Sequence, residues 1–196
     1  MPLLKKEPDF FPDDFFSLSP DEYPWWVAHV ASRQEKVLAR FLHERSIPFY
    51  LPQAEKKTKR DGRTFTSYLP LFPGYVFIRG GRDARGQALR SNVIASSIDV
   101  VDQETLATEL GQIAELQRSG AMLVPYTEIA PGDPVKITEG VFQGYIGTVV
   151  REKGTLRLLV TISLIRQSVL VDVSRDGVAP APDPAHAAGR EKTARR

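Results

Sequence analysis

Cysteine is absent from the 196 residues. That excludes disulfide staples and thiolate chemistry, and it suits a reducing compartment. No apolar run approaches the roughly 18 residues a membrane-spanning helix requires, and the N-terminus has no signal-peptide core. The expectation is a soluble, cytoplasmic protein with no membrane partner. Catalytic signatures are missing too. The three histidines, His29, His43 and His186, lie in separate parts of the chain with no metal-ligand spacing. His43-Glu44 begins a zinc-protease pattern, but Ile47 stands where the second histidine is needed. Gly140-x-x-x-Gly144-x-x-Gly147-Thr148 lacks the lysine of a phosphate-binding loop, and no Gly-x-Ser-x-Gly occurs. These absences predict a non-enzyme that needs no cofactor or metal.

What is present suits one globular domain or two small ones: 42% of residues are hydrophobic and 26% charged. The net charge of +2 is spread unevenly: residues 1–24 carry −4, residues 25–120 carry +4, 121–179 balance, and 180–196 add +2. A basic middle beside a neutral block fits one domain meeting phosphate and another meeting protein.

Residues 1–23 alternate acids, prolines and phenylalanines, as in Phe10-Phe11-Pro12 and Phe15-Phe16. Such a segment reads as a flexible, partly docked arm or as a short docking peptide. Trp25–Ala31 reads as a strand. Ser32 with Glu35 has the spacing of a capping box for a helix running to about Arg45, with Val37, Leu38, Phe41 and Leu42 inward. Pro48 stops it, and Phe49–Leu51 makes a second strand.

From Glu55 to Phe65, Asp61-Gly62 marks a two-residue hairpin turn. Lys56, Lys57, Lys59, Arg60 and Arg63 crowd its tip. The hairpin is either simply solvated or a phosphate-contacting finger. Pro73-Gly74 then turns the chain into Tyr75–Ile78, apolar on both alternating faces, as in a central strand covered on both sides. A short helix over 83–91 and a strand over 93–101 follow. Asp102 caps a helix to Arg118 with Leu106, Leu110, Ile113 and Gln117 inward, and Ser119-Gly120 stops it.

The order of elements predicts an α+β sandwich over residues 24–120. Residues 121–131 read as a linker. Short strands at 135–137, 144–150, 155–165, 168–173 and 178 predict a small all-β barrel over 132–179, followed by a disordered tail at 180–196.

Trp25-Trp26-Val27, the helix after it, and Leu71-Phe72-Pro73-Gly74-Tyr75-Val76-Phe77 resemble the N-terminal (NGN) domain of the NusG family of transcription elongation factors. Pro131–Gly147 resembles the family's five-stranded, SH3-like KOW barrel. The resemblance implies binding to the clamp helices of the largest RNA polymerase subunit through an apolar patch formed by Phe72, Tyr75 and Phe77, with His29 alongside. Lys56, Lys57, Lys59 and Arg60 would face nucleic acid, and Arg33, Arg40 and Arg90 the non-template DNA strand. It implies a monomer that suppresses pausing.

The family's KOW barrel recruits the termination factor Rho or ribosomal protein S10. Here Val160–Arg166 lacks the Phe-Gly-Arg-like turn of housekeeping members. It is more similar to specialised paralogs that oppose termination, RfaH among them, which weighs against Rho. Phe142, Ile162, Leu164, Ile165 and Arg166 are then the candidates for ribosomal contact. The β-branched residues of 156–173 predict strands there rather than a helical hairpin. Two other readings stand beside this one: a housekeeping factor coupled to Rho, and a KOW-type RNA-binding protein of the ribosome.

Overall fold

Phe10–Phe11 (β1) is a short strand whose edge is closed by pairing with Phe49–Tyr50 (β3). This sets the first unit of the fold, in a computed structural model that describes residues 6–60, 62–126, 134–137, 146–152, 155–172 and 178–180. The chain divides into two compact units, Met1–Ala114 with Ser163–Ile165, and Glu115–Ile162 with Arg166–Arg196.

In the first unit Trp25–Val30 (β2), Tyr75–Arg79 (β6) and Ile94–Asp99 (β7) join β1 and β3 in a five-stranded sheet of order β1-β3-β6-β2-β7. Its pairings are antiparallel throughout. Because side chains alternate across a strand, Trp26, Ala28, Val30, Val76, Ile78 and Phe49 share one face. They form a continuous core with Leu38, Ala39 and Leu42 of Glu35–Glu44 (α1) and Ala88 of Arg82–Leu89 (α2). The opposite face carries Trp25, Phe77 and Tyr50, and Phe15 covers it. Burying each large side chain of this kind contributes roughly 1.5–3 kcal/mol.

The N-terminal segment is therefore part of the fold from Phe10 to Ser17, which corrects the expectation of a flexible arm. Phe15 is fully buried, its ring edge-on to Trp25 at 5.2 Å and to Phe16 at 5.2 Å. Arg79, itself buried, donates from Nη1 to Phe15 O at 2.9 Å and from Nε to Tyr23 O at 2.9 Å. Covering an apolar face and tying the arm by two charge-assisted hydrogen bonds outweighs the proline and acid content of the segment.

The capping box is also corrected. Helix α1 begins with Gln34 at its N-cap and no side-chain cap, and Arg33 has φ 62°. Glu35 is buried and accepts Gly74 N–H on Oε1 at 2.7 Å, so its carboxylate serves a distant turn rather than its own helix. The inward stripe is Leu38, Ala39 and Leu42; Val37 is exposed and Phe41 only partly buried.

Helix α3, Gln103–Arg118, follows its local signals. Asp102 accepts Thr105 N–H on Oδ1 at 2.9 Å and the Thr105 hydroxyl on Oδ2 at 2.7 Å. At its other end Gly120 (φ 76°) allows Ala121 N–H to reach Leu116 O and Gly120 N–H to reach Gln117 O. Leu106, Leu110, Ile113, Ala114 and Leu116 are buried, while Gln117 is only partly so.

The second unit is a six-stranded antiparallel sheet. It is built from Leu123–Tyr126 (β8), Pro134–Ile137 (β9), Ile146–Glu152 (β10), Thr155–Ile162 (β11), Gln167–Asp172 (β12) and Val178–Pro180 (β13). The order is β13-β9-β10-β11-β12-β8. Strand β8 lies where a linker was expected; it pairs with β12, Leu123 opposite Val171, an edge contact that local periodicity does not reveal. The 156–173 stretch forms strands, as its β-branched residues predict. Phe142 and the tail beyond 180 fall outside the described residues.

Candidate functional site

The turn before β6 positions the first set of candidates. Tyr75 N–H bonds Phe72 O at 3.1 Å with Pro73 and Gly74 at the corner, and Gly74 at φ 87° takes the position that demands glycine in a type II turn. Gly74 O accepts Val30 N–H at 2.8 Å, and Glu35 holds the Gly74 N–H, so the turn is fixed to both β2 and α1. This brings His29 and Tyr75 opposite each other, with ring centroids 5.0 Å apart. Both remain partly exposed, as the aromatic face runs out towards Ser96 of β7, the residue paired with His29.

Two of the four residues expected on an exposed patch are not there. Phe77 is fully buried and Phe72 nearly so; they meet edge-to-face at 5.7 Å, with Tyr50 at 6.4 Å from Phe77. Tyr50 and Phe72 enclose Phe77 and make it core. Val76 and Ile78 are buried on the helical side, so the strand is covered on both faces. Phe72 and Phe77 can support a partner surface from beneath, but only His29 and Tyr75 of the four reach it.

Gln53–Arg60 (β4) and Arg63–Pro70 (β5) form the hairpin, a separate two-stranded sheet. Its base is anchored. Lys36 Nζ donates to Tyr68 O at 2.6 Å, Gln53 Nε2 donates to Glu7 O and Asp9 Oδ1, and Leu71 N–H bonds Pro52 O. Burial lowers the Lys36 pKa, with nearby Glu7 opposing that shift. Lys56, Lys57 and Lys59 are exposed; Lys57 pairs with Glu55 at 3.1 Å. The Arg60 side chain falls outside the described residues.

Residues 23–104, which hold the Pro73-Gly74 turn, the His29–Tyr75 pair and the β4–β5 hairpin, match the family model described as "Transcription termination factor nusG". The structure "Domain interaction in Thermotoga maritima NusG" shares the fold, with a TM-score of 0.51 and 18% identity over 84% of this chain and 100% of that one. "Crystal Structure of MjSpt4:Spt5 complex conformation B" is also similar over 81% of this chain and 97% of that one. Its TM-score of 0.24 and 13% identity carry no argument. No curated protein sequence matches.

Within the matched region the remaining arginine candidates are scattered. Arg33 is exposed ahead of α1. Arg40 is exposed as well but pairs with Glu7 at 3.3 Å, so part of its charge is already compensated. Arg90, at the end of α2, lines a cleft of about 570 Å³ with Arg45 and Arg82. None of the three shares the His29–Tyr75 pairing.

The turn between β11 and β12 exposes Leu164, in the segment grouped with the first unit, and Arg166 of the second unit, the latter at φ 52°. Ile162 and Ile165 are buried, which corrects their place on a contact surface: Ile162 ends a strand whose Leu158 and Val160 point the same way into the core.

Sequence reasoning missed two residues. Phe65 lies exposed among the hairpin cations, and Arg79 ties the arm down. The alternation of the hairpin strands signals the first; nothing local signals the second, since its partners are 56 and 64 positions away. Among the described residues no group of three or more His, Cys, Asp or Glu could hold a metal, and no helix is long and apolar enough to cross a membrane.

Proposed function

We propose that the chain is a NusG-type transcription elongation factor that binds RNA polymerase through the His29–Tyr75 end of the sheet and turns the β4–β5 hairpin towards nucleic acid. The observation that carries this reading is the His29–Tyr75 pair. It is an aromatic couple left open at the end of an otherwise sealed face, on a turn held from two sides. A rigid aromatic anchor in such a setting is what a small binding hot spot requires. The mechanism is binding rather than catalysis: the factor bridges polymerase and the nucleic acid beside it, in the cytoplasm, as a monomer.

The second unit is the KOW-type module of this reading. Arg166 is its exposed candidate for ribosomal protein S10, with Leu164 a second candidate on the same β11–β12 turn. The absence of the Phe-Gly-Arg-like turn between Val160 and Arg166 favours an antiterminating, RfaH-like role over Rho-coupled termination.

Co-purification of purified chain with RNA polymerase tests the assignment. His29→Ala with Tyr75→Ala should weaken binding at least about tenfold while the fold is retained. Undiminished binding by that double variant removes the patch from the proposal. Parallel capture of S10 and Rho by the full chain separates the two roles; robust Rho binding favours the housekeeping factor.

A further inference from the structure

The hairpin has two faces of different chemistry. Strand pairing sets Lys57 against Thr66, Lys59 against Thr64 and Glu55 against Tyr68 on one of them. The other carries the pairs Ala54–Leu69, Lys56–Ser67 and Thr58–Phe65, with Arg63 beyond them. The acid of the hairpin strands thus lies on the first face, where Lys57 already pairs with it. The second face has cations and no acid.

Phe65 stands in the middle of that second face, 46% exposed, opposite a threonine too small to cover it. Other aromatic side chains of this unit are engaged: Phe10, Phe15, Phe16, Trp25, Tyr50 and Phe77 all have ring partners. No ring contact is made by Phe65 among the described residues. The register places Lys56 and Arg63 two strand positions from it, about 7 Å along the ribbon.

From this geometry we infer that Phe65 is a stacking platform for an unpaired base, with Lys56 and Arg63 receiving the flanking phosphates, so that the hairpin binds single-stranded nucleic acid in preference to duplex. An open ring flanked by cations is the arrangement that holds single strands without reading their sequence, because every base offers a π-face. Duplex presents phosphates but no free base face, so it gains from the cations alone. The anchored base of the hairpin keeps the ring at a fixed height, and Lys56, Arg63 and Phe65 beyond it are exposed. This inference rests on the hairpin reading given above and adds to it the form of nucleic acid and the residue that selects it.

The test uses the full chain and a short labelled oligonucleotide containing 2-aminopurine, single-stranded or annealed, with affinity read by anisotropy. Phe65→Ala should weaken single-strand binding about tenfold and abolish the quenching of 2-aminopurine, while duplex affinity changes less than about twofold. Phe65→Trp should retain both signals, and thermal melting should show each variant folded. Loss of binding on neutralising Lys56, Lys57 and Lys59 with no effect of Phe65→Ala overturns the stacking role and leaves the cationic finger. If wild type binds neither form, the finger falls with it. If Phe65→Ala instead weakens polymerase co-purification at unchanged oligonucleotide affinity, the face belongs to a protein partner and the inference is overturned.

Discussion

Strands β5 and β6 follow one another in the chain and have opposite fates. Both contain two aromatic residues: Phe65 and Tyr68, on opposite faces of β5, and Tyr75 and Phe77, on one face of β6. In β6 the helical core covers one face and the N-terminal arm the other, so an aromatic that could have met a partner becomes structure. Among the described residues no further layer covers β5, and Phe65 and Leu69 stay 46% and 42% exposed. The difference teaches that residue type at a motif position does not decide whether a side chain binds. What packs over it does. By that rule the binding capacity of the unit lies at the rim of β6, where His29 and Tyr75 emerge, and along β5.

The largest effect should come from testing β6 against its own rim. Phe77→Ala should cost about 3–5 kcal/mol in chemical denaturation, because a fully buried ring leaves a cavity between Phe72 and Tyr50. Tyr75→Ala, on the same strand and face, should cost only about 1 kcal/mol, since its ring is already partly solvated. Equal losses would break the distinction between buried support and exposed contact.

Much of this was legible because it is local. The β4–β5 hairpin, the Pro73-Gly74 turn, the Asp102 cap and the Gly120 stop are each decided by a few neighbouring residues. The apolar run of Tyr75–Ile78 also declares a strand covered on both faces. Moving Phe77 outward followed from its place in a family motif, against that periodicity, and the periodicity was right. What stayed hidden depends on distant pairing. Glu35 has the spacing of a capping residue, yet it bonds a turn 39 positions away. Phe10–Phe11 and Leu123–Tyr126 become strands only because a sheet edge is available to each. Exposure along β5 was readable in part, since Arg63-Thr64, Thr66-Ser67 and the lysines of the paired β4 give the hairpin no core face to offer.

The seal over β6 can be probed at Arg79, with a somewhat smaller effect. Desolvation lowers the pKa of this buried guanidinium, which nevertheless stays charged and spends its donors on Phe15 O and Tyr23 O, with its plane 5.0 Å from the Trp25 ring. Arg79→Met keeps the stem and leaves both carbonyls without their donor, for a loss of about 2–3 kcal/mol. Arg79→Lys should recover little of it, because an ammonium cannot reproduce the fork. The informative readout is amide exchange: protection should fall at Phe15 and along β3 before it falls in α1. Uniform loss across the unit would mean that the arm is not a separable cover.

The smallest effect lies away from both strands, at the start of α3. Hydrogen bonds from the Thr105 hydroxyl and backbone N–H hold the Asp102 pKa below its ordinary value of 3.8. A depressed carboxylate pKa means the folded state binds the proton less tightly than the unfolded one. The cap therefore contributes fully above pH 3.8 and is lost as the pH falls through the lower folded-state value. Asp102→Asn retains an acceptor for Thr105 N–H but cannot titrate. Its melting temperature should lie slightly below wild type at neutral pH, and the gap should close on acidification below the Asp range. A gap that stays constant with pH would show that the carboxylate charge contributes nothing to the cap, leaving hydrogen-bond geometry alone to start the helix.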